Sequence, residues 1–405
     1  MITVEEAKDI IFNQQLVRKI EEVDFDKSVG CALAEDIVTD KAMPPFNRVT
    51  MDGIAIDFLD YTQGIRRWIV VQTQYAGQAA TTIYKAGECV EIMTGAVLPE
   101  GCDTIIRYED LNESINSNKE KVFELSDVDV KQGQNIHVLG SDKKQGDIIL
   151  KKGQVIGATD IALLATVGKQ KVSIYKKLSI VVIATGDELT NIDETPSAYQ
   201  IRASNHLMIA AAIKERGFDC DIFLRRDDLG QLQELLEKFL QQYDIIVLTG
   251  AVSKGKADFI PAVLAHLSVN KLFHGVAQRP AKPFWFGRKA QCLVFAMPGN
   301  PVSAAVCTYV YLLPFIDKQQ GFKRIHFKCK VDQEVNFKSP LTYFMQASVY
   351  EGIDGNLIAT PFLGNGSGDL TNLAEVNAFV ALPANHENFN THDFYDFYFT
   401  RNTIY

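Results

Sequence analysis

The sequence lacks several features that mark particular classes of protein. Its seven cysteines are odd in number and show no C-x-x-C spacing, so neither a disulfide framework nor a cysteine zinc site is expected. An excess of positive charge is also missing, because the net charge is −9, and this argues against nucleic acid or an anionic membrane surface as the main partner. We therefore expect reduced thiols and a cytoplasmic protein that binds no nucleic acid.

A membrane-spanning apolar run and a signal peptide are absent as well. Residues 293–316 carry no charge, but the turn Pro298-Gly299-Asn300-Pro301 interrupts them near their start. The remaining strand and helix are too short for a hydrocarbon core of ~30 Å. The N-terminus, MITVEEAKDIIF, has acidic residues where a signal peptide carries basic ones, which predicts an amphipathic helix and no membrane partner.

Two common hydrolase signatures are also missing. The histidines show neither HxH nor HExxH spacing, which argues against a zinc hydrolase. Ser253 and Ser303 lack a G-x-S-x-G setting, which argues against a serine hydrolase. The chemistry is therefore expected from other residues.

The chain is long enough for about two to four domains, since domains commonly have ~100–200 residues. Short alternating apolar runs predict a β-rich unit before residue 130, and similar runs after residue 321 predict a β-barrel or sandwich. Between them, strands and helices alternate as in βαβ units. We predict an α/β multidomain protein with an N-terminal/linker domain (1–45 plus 131–170), a β-rich insert domain (46–130), a central parallel α/β domain (171–320) and a C-terminal β-barrel domain (321–405).

Three loops follow apolar, β-branched strands: IATGDEL at 183–189, LTGAVSKGKAD at 248–258 and AMPGNPVS at 296–303. Such strands are typical of a parallel sheet covered on both faces. Loops at the carboxyl ends of parallel strands line one ligand crevice. These segments supply carboxylates at Asp187, Glu188 and Asp258, and free backbone N–H groups at helix starts. Cations are available at Lys254, Lys256 and Lys282. This combination predicts a site for a phosphorylated ligand bridged by a hard divalent cation.

Each of these motifs also has a purely structural explanation. Residues 250–256 fit G-x-x-x-x-G-K, but Ala257 stands where a P-loop needs Ser or Thr, so a P-loop NTPase is not expected. Asp258 is explained equally well as a complement to a helix dipole. Asn300 and Pro301 can be a plain N-cap and N1 pair, and as an isolated motif such a pair is more often structural than a site. The shared position at one sheet edge is what favours a ligand site.

Arg279 and Lys282 lie in the segment QRPAKP, directly before the apolar run FWFG. Two prolines restrict the backbone around these cations. Cations held in place are suited to an oxyanion ligand. The alternative is a solvated surface turn.

Eight stretches of the chain resemble, in order, the signature stretches of the molybdopterin molybdenumtransferase family, to which the E domain of gephyrin belongs. They are PPFNRVTMDG, EIMTGAVLPEGCDTII, GSDKKQGDIIL, VIATGDEL, TGAVSKGKADF, RPAKPFWFG, MPGNPVSA and GNGSGDLTNLAEVNAFVALP. The resemblance covers nearly the whole chain.

The resemblance implies a function in molybdenum cofactor biosynthesis. It implies insertion of molybdate into the dithiolene of adenylylated molybdopterin, with release of AMP, and a dependence on Mg²⁺. The central α/β domain would bind molybdopterin. The resemblance also implies four subdomains and an elongated homodimer with a composite active site. Further partners would be a molybdopterin adenylyltransferase and apo-molybdoenzymes.

The resemblance assigns roles to residues of this sequence. Expected catalytic residues are Asp52, Thr94, Asp142, Glu188 and Asp258. Expected metal ligands are Glu188 and Asp258. Expected substrate-binding residues are Thr185, Gly186, Asp187, Gly250, Ser253, Arg279, Lys282, Pro298, Gly299, Asn300, Pro301 and Ser367. Among these, Ser253, Arg279 and Lys282 fall on positions associated with oxyanion binding, and Ser367 falls on a polar loop of the last domain near the same site.

The sequence departs from the family pattern at four positions. Ala251 and Ala281 stand where the family has Gly, Arg279 stands for Lys, and Gln346 stands for the Arg of an F-x-R motif. Two rival functions stay open. One is a non-catalytic scaffold of the same fold that binds pterin or a partner protein. The other is a molybdopterin adenylyltransferase, since the α/β domain alone resembles that family, although the flanking β domains argue against it.

Overall fold

The computed structural model describes residues 1–83, 85–250, 259–322, 326–362, 364 and 366–401. Within these residues the chain builds three six-stranded sheets and several two-stranded ribbons. One sheet belongs to a central α/β unit, one to a β-rich insert and one to a C-terminal barrel. The predicted fold class, a multidomain α/β protein with these parts, is confirmed. The domain limits themselves stay a prediction.

The inner strands of the central sheet form from runs of apolar residues that are buried on both faces. Its strands, in spatial order, are Asp221–Arg225, Ile180–Thr185, Ile245–Thr249, Cys292–Met297, Trp285–Lys289 and Asn270–His274. The first four run parallel, and the last two pair antiparallel to their neighbours. Thr185, Thr249 and Met297 therefore end three adjacent parallel strands at one edge of the sheet.

Helices cover both faces of this sheet. Their bounds are Asn205–Glu215, Leu229–Gln242, Ile260–His266 and Pro301–Cys307, the last continuing through a π-helical turn, Thr308–Leu312, into Leu313–Gln320. The predicted N-terminal helix is Val4–Phe12, and Thr3 and Glu6 form its capping box. Val4, Ala7 and Ile11 of this helix pack in the same core cluster as strand residues of the central sheet. The first helix therefore packs against the α/β unit.

The insert sheet has a short helix, Phe58–Thr62, at one end. Its strands, in spatial order, are Thr104–Arg107, Gly53–Ile56, Glu88–Ile92, Arg67–Gln74, Lys121–Leu125 and Leu111–Ile115. Glu91 is buried in this sheet and accepts hydrogen bonds from Tyr108, Lys121 and Thr73. Although burial opposes ionisation, these donors together hold the pKa of Glu91 below its ordinary value.

Short antiparallel ribbons connect the insert to the α/β unit. Strand Ile20–Asp24 pairs with Lys171–Tyr175, Ile37–Val38 with Ile148–Leu150, and Arg48–Val49 with Ile136–His137. The next helix in the chain is Ala158–Thr166, and Gly168 follows it with φ of 66°, which is typical of a glycine that ends a helix.

The C-terminal unit is a barrel of five strands, which closes where Thr342–Glu351 pairs with Ala378–Leu382. Around the barrel the strands are Thr342–Glu351, Leu357–Pro361, Lys328–Val331, Tyr395–Phe399 and Ala378–Leu382. A short helix, Asn372–Glu375, precedes the fifth of these. Strand Gln278–Arg279 adds to the barrel sheet beside Thr342–Tyr343, so a segment of the α/β unit is tied to the barrel.

Two further ribbons complete the described strands. Leu189–Thr190 pairs with Ile201–Arg202, and Val335–Asn336 pairs with Asn388–Phe389. No helix among the described residues combines the length and the apolarity that a membrane crossing needs.

Candidate active site

A cavity of about 700 Å³ lies between the α/β unit and the barrel. Six residues predicted to bind substrate line it: Arg279, Lys282, Pro298, Gly299, Asn300 and Ser367. They come from three stretches that are distant in sequence. The structure therefore brings together the segment QRPAKP, the PGNP turn and the GNGSGD loop.

Gln278 fixes the turn that carries the two cations. It is completely buried, its Nε2 donates to the carbonyl of Ala281 at 3.0 Å, and its Oε1 accepts from the Tyr311 hydroxyl. The Arg279 and Lys282 side chains are exposed, and in the described part of the chain neither has a hydrogen-bond or ion-pair partner. Two cations thus line the cavity with no ion-pair partner from residues that the structure describes.

Ala281 occupies the position where the family pattern has glycine. Its φ is 68°, in the left-handed region, which disfavours a residue with a Cβ. It is also buried, with an exposed fraction of 3%, and packs in the core of the α/β unit. Burial of its methyl group offsets part of the backbone cost.

The PGNP turn connects the α/β unit to the barrel. Asn300 Nδ2 donates to Ser367 Oγ at 2.7 Å, and the N–H of Val302 donates to the Ser367 carbonyl at 3.1 Å. Asn300 is the N-cap of the helix and Pro301 is at N1, but the Asn300 side chain makes no capping hydrogen bond. Asn300 and Pro301 thus occupy the N-cap and N1 positions of the helix, but the Asn300 side chain bonds to Ser367 across the cavity instead of capping the helix.

The other predicted loops lie at the same sheet edge. The N–H of Gly250 donates to the carbonyl of Met297 at 3.2 Å, and a Cβ on Gly250 would lie 2.3 Å from the carbonyl oxygen of Thr185. Gly250 has φ of 110°, so only glycine fits here. A Cβ on Gly299 would lie 3.5 Å from Gly250 Cα. Residues 185, 250 and 299 are therefore neighbours.

The carboxylates of the GDE loop are exposed. Asp187 Oδ1 accepts from the N–H of Asp227 at 3.2 Å. The Glu188 carboxylate folds back over Gly186, where a Cβ would lie 2.7 Å from Glu188 Oε2. Among the described residues no group of three or more His, Cys, Asp or Glu side chains is arranged to hold a metal. Ser253 and Asp258 lie outside the described residues, so the pair Glu188 and Asp258 stays a prediction.

Asp52 and Thr94 meet in the insert. Asp52 Oδ1 accepts from the Thr94 N–H at 2.6 Å and from the Thr94 hydroxyl at 2.8 Å. These bonds favour the ionised carboxylate and lower the pKa of Asp52 from its ordinary value.

Asp142 is held by a second contact in the same part of the chain. Its Oδ1 lies 2.8 Å from His137 Nε2, and Arg48 Nη2 lies 3.1 Å from His137 Nδ1. Arginine can only donate, so Nδ1 accepts and the proton on Nε2 is available to Asp142. Asp52, Thr94 and Asp142 do not line the 700 Å³ cavity of their own chain.

The structure adds residues that the sequence analysis did not propose for the site. Asn205 Nδ2 donates to the carbonyl of Gly299 at 2.7 Å and lies 3.3 Å from Thr249 Oγ1, so it ties the PGNP turn to a neighbouring strand. Gln278 and Tyr343 also line the cavity. Gln278 in addition holds the turn that carries Arg279 and Lys282 through its bond to Ala281. Ser204, the N-cap of the helix that begins at Asn205, is a helix-start signal readable from the sequence. Nothing in the sequence marks the strand pairing that places Tyr343.

The three family models that match describe a "MoeA N-terminal region (domain I and II)" over residues 2–168, a "Probable molybdopterin binding domain" over 181–318 and a "MoeA C-terminal region (domain IV)" over 328–391. The chain is 32% identical to a molybdopterin molybdenumtransferase from Synechocystis over 379 residues, which are 93% of this chain and 94% of the relative. It is 31% identical to a protein of the same name from Bacillus subtilis, covering 94% of this chain and 90% of the relative.

A solved structure is similar over the full length. The crystal structure of a molybdopterin biosynthesis MoeA protein from Pyrococcus horikosii superposes with a TM-score of 0.82 at 27% identity, and the match covers 100% of both chains. Fold and sequence comparisons therefore point to one family.

Proposed function

Because the chain belongs to the molybdopterin molybdenumtransferase family, whose members act in molybdenum cofactor biosynthesis, we propose that it inserts molybdate into adenylylated molybdopterin and releases AMP in a Mg²⁺-dependent reaction. The observation that carries this proposal is the cavity itself. Arg279 and Lys282 line it without an ion-pair partner among the described residues, and the sheet edge formed by the predicted loops adjoins it at Gly299.

The lining suits a tetrahedral dianion beside a nucleotide. Arg279 and Lys282 supply charge-assisted donors, which make the stronger hydrogen bonds to oxyanions. The Ser367 hydroxyl, which accepts from Asn300, keeps its own proton to donate. Gly250 and Gly299 leave the backbone open to close approach by a phosphate-bearing ligand. We assign the oxyanion to the side of the cavity that carries Arg279 and Lys282. We assign the nucleotide to the sheet edge at Gly250 and Gly299.

We assign Mg²⁺ to Glu188 and Asp258. Carboxylate oxygens are the ligands that this ion prefers, and the exposed Glu188 carboxylate at the sheet edge has no ion-pair partner among the described residues. Bound Mg²⁺ would neutralise negative charge on the phosphoanhydride. The residues of the chain would orient the two substrates and place the adenylyl bond within reach of water.

We further propose a homodimer in which each active site combines two chains. Asp52, Thr94 and Asp142, expected to be catalytic, do not line the cavity of their own chain, so a second chain would have to present them. Native mass spectrometry tests the dimer, because a monomer at micromolar concentration would contradict it. A cytoplasmic location, with a molybdopterin adenylyltransferase and apo-molybdoenzymes as partners, completes the proposal.

The activity is tested by incubating the protein with adenylylated molybdopterin, Mg²⁺ and molybdate and following AMP and finished cofactor. We expect AMP release that needs both ions. Lys282→Ala is the site variant, and Lys271→Ala, an exposed lysine on a central-sheet edge strand away from the cavity, is the matched control.

Other outcomes identify the rival functions. Binding of the nucleotide without AMP release would indicate a scaffold. Adenylylation of metal-free molybdopterin from ATP would indicate an adenylyltransferase.

A further inference from the structure

Two aromatic rings of the barrel lie beside the Arg279 guanidinium. We propose that Phe337 and Tyr343 act as positioning residues that hold this guanidinium at the cavity wall and thereby strengthen oxyanion binding. The assignment of an oxyanion to this cavity rests on the proposed function, whereas the contact between the rings and the arginine does not.

The geometry is that of a cation on an aromatic pair. Arg279 Cζ lies 5.4 Å from the Phe337 ring centroid and 5.6 Å from that of Tyr343. The two rings pack against each other with centroids 4.5 Å apart and planes inclined at 32°. Both cation distances fall within the ~6 Å at which ring quadrupoles attract a guanidinium.

The rings are themselves held in place by the barrel. Tyr343 is on the long strand Thr342–Glu351 and is the register partner of Arg279. The N–H of Phe337 donates to the carbonyl of Glu387 at 2.9 Å. Both aromatic side chains pack against the barrel core. Burial raises the pKa of the Tyr343 hydroxyl, although the charge of Arg279 opposes this, so Tyr343 stays neutral near Arg279.

The ring contacts are what restrain Arg279. Among the described residues its guanidinium has no hydrogen-bond or ion-pair partner. It lies instead beside the rings of Phe337 and Tyr343. A planar guanidinium can rest on rings while its N–H edge stays free for an oxyanion, which a lysine ammonium cannot do in the same way. The Arg279 side chain therefore loses less conformational entropy when it binds its ligand.

The test compares three ring variants with a matched control. Phe337→Leu and Tyr343→Leu remove a ring, and Tyr343→Phe keeps the ring and removes the hydroxyl. Phe394→Leu is the control, because Phe394 holds Lys330 at 5.0 Å from its ring centroid in the same barrel but does not line the cavity. Thermal unfolding of each variant confirms that it is folded.

Molybdate affinity is measured by equilibrium dialysis, together with kcat and the KM for molybdate. We expect the leucine variants to bind molybdate about 3- to 30-fold more weakly, the range that cation–π contacts support, with the change in KM rather than kcat. Tyr343→Phe, which keeps the ring, should weaken binding less than Tyr343→Leu does, and Phe394→Leu should match the parent protein. Unchanged affinity in both leucine variants would overturn the proposal.

A second readout does not depend on molybdate. The rate at which phenylglyoxal modifies Arg279 is followed by mass spectrometry, with the exposed Arg67 as internal reference. We expect Arg279 to react several-fold faster in Phe337→Leu than in the parent and no faster in Phe394→Leu. Faster modification without any molybdate binding in the parent would refute the proposed function and leave the positioning role intact. Equal rates would refute the positioning role.

Discussion

The contact between Asn300 and Ser367 allows a quantitative test of how the cavity is assembled. The side-chain hydrogen bond is 2.7 Å long, and a separate backbone bond of 3.1 Å joins Val302 to the same serine. Asn300→Ala and Ser367→Ala remove the first bond and leave the second. The barrel loop should therefore stay docked, and the effect of the side-chain contact can be isolated.

A double-mutant cycle measures this contact. A neutral hydrogen bond contributes about 0.5–1.5 kcal/mol net, so the two substitutions should show a coupling energy of that size in the molybdate dependence of AMP release. Asn300→Ala should need roughly two- to tenfold more molybdate. Ser367→Ala should need more than that, because it also removes the hydroxyl proposed to face the oxyanion, and the double variant should be little worse than Ser367→Ala alone. If the two effects simply add within ~0.3–0.5 kcal/mol, as they do for independent sites, the contact does not organise the cavity.

Three further predictions concern single residues. Lys282→Ala should raise the half-saturating molybdate concentration about ten- to a hundredfold, the loss expected for one charge-assisted contact, with a smaller change in nucleotide affinity by calorimetry; the reverse pattern would place the phosphates there instead. Thr94→Val should raise the pKa of Asp52, which Thr94 now depresses, as followed by carboxyl-carbon NMR. Since the pKa of Asp52 is lower in the folded than in the unfolded protein, its stabilising effect is present at pH values above the unfolded-state pKa and is lost as the pH falls through the folded-state pKa. An unchanged Asp52 titration in Thr94→Val would contradict the hydrogen bond from the Thr94 hydroxyl. Gln346→Arg should lower the molybdate requirement, and an unchanged requirement would show that the family arginine has no role here.

The placement of the three loops at one sheet edge could be predicted from the sequence. Strands that are apolar at every position are typical of a parallel sheet covered on both faces, and the carboxyl ends of parallel strands share one side. The neighbouring positions of Thr185, Gly250 and Gly299 follow from that pattern.

The contacts between units could not be predicted in the same way. Arg279 pairs with Tyr343 across 64 positions of the chain, and no local period encodes such a pairing. The Asn300 side chain fits a capping pattern equally well, yet it bonds to Ser367 because the barrel loop lies against the turn. The resemblance pointed to Asp52 and Thr94, but only the structure gives the bond between them.

The proposed composite active site combines the cavity of one chain with Asp52 and Thr94 of a second chain. A Thr94→Trp subunit and an Asp258→Ala subunit, each expected to be nearly inactive alone, are mixed, allowed to exchange and assayed for molybdate-dependent AMP release, with native mass spectrometry confirming the heterodimer. In a two-fold dimer with shared sites, one site receives both defects and the other neither, so we expect about half of the parent activity per heterodimer. If each site is built within one chain, every site keeps one defect, and a mixture as inactive as its two components would contradict the composite site.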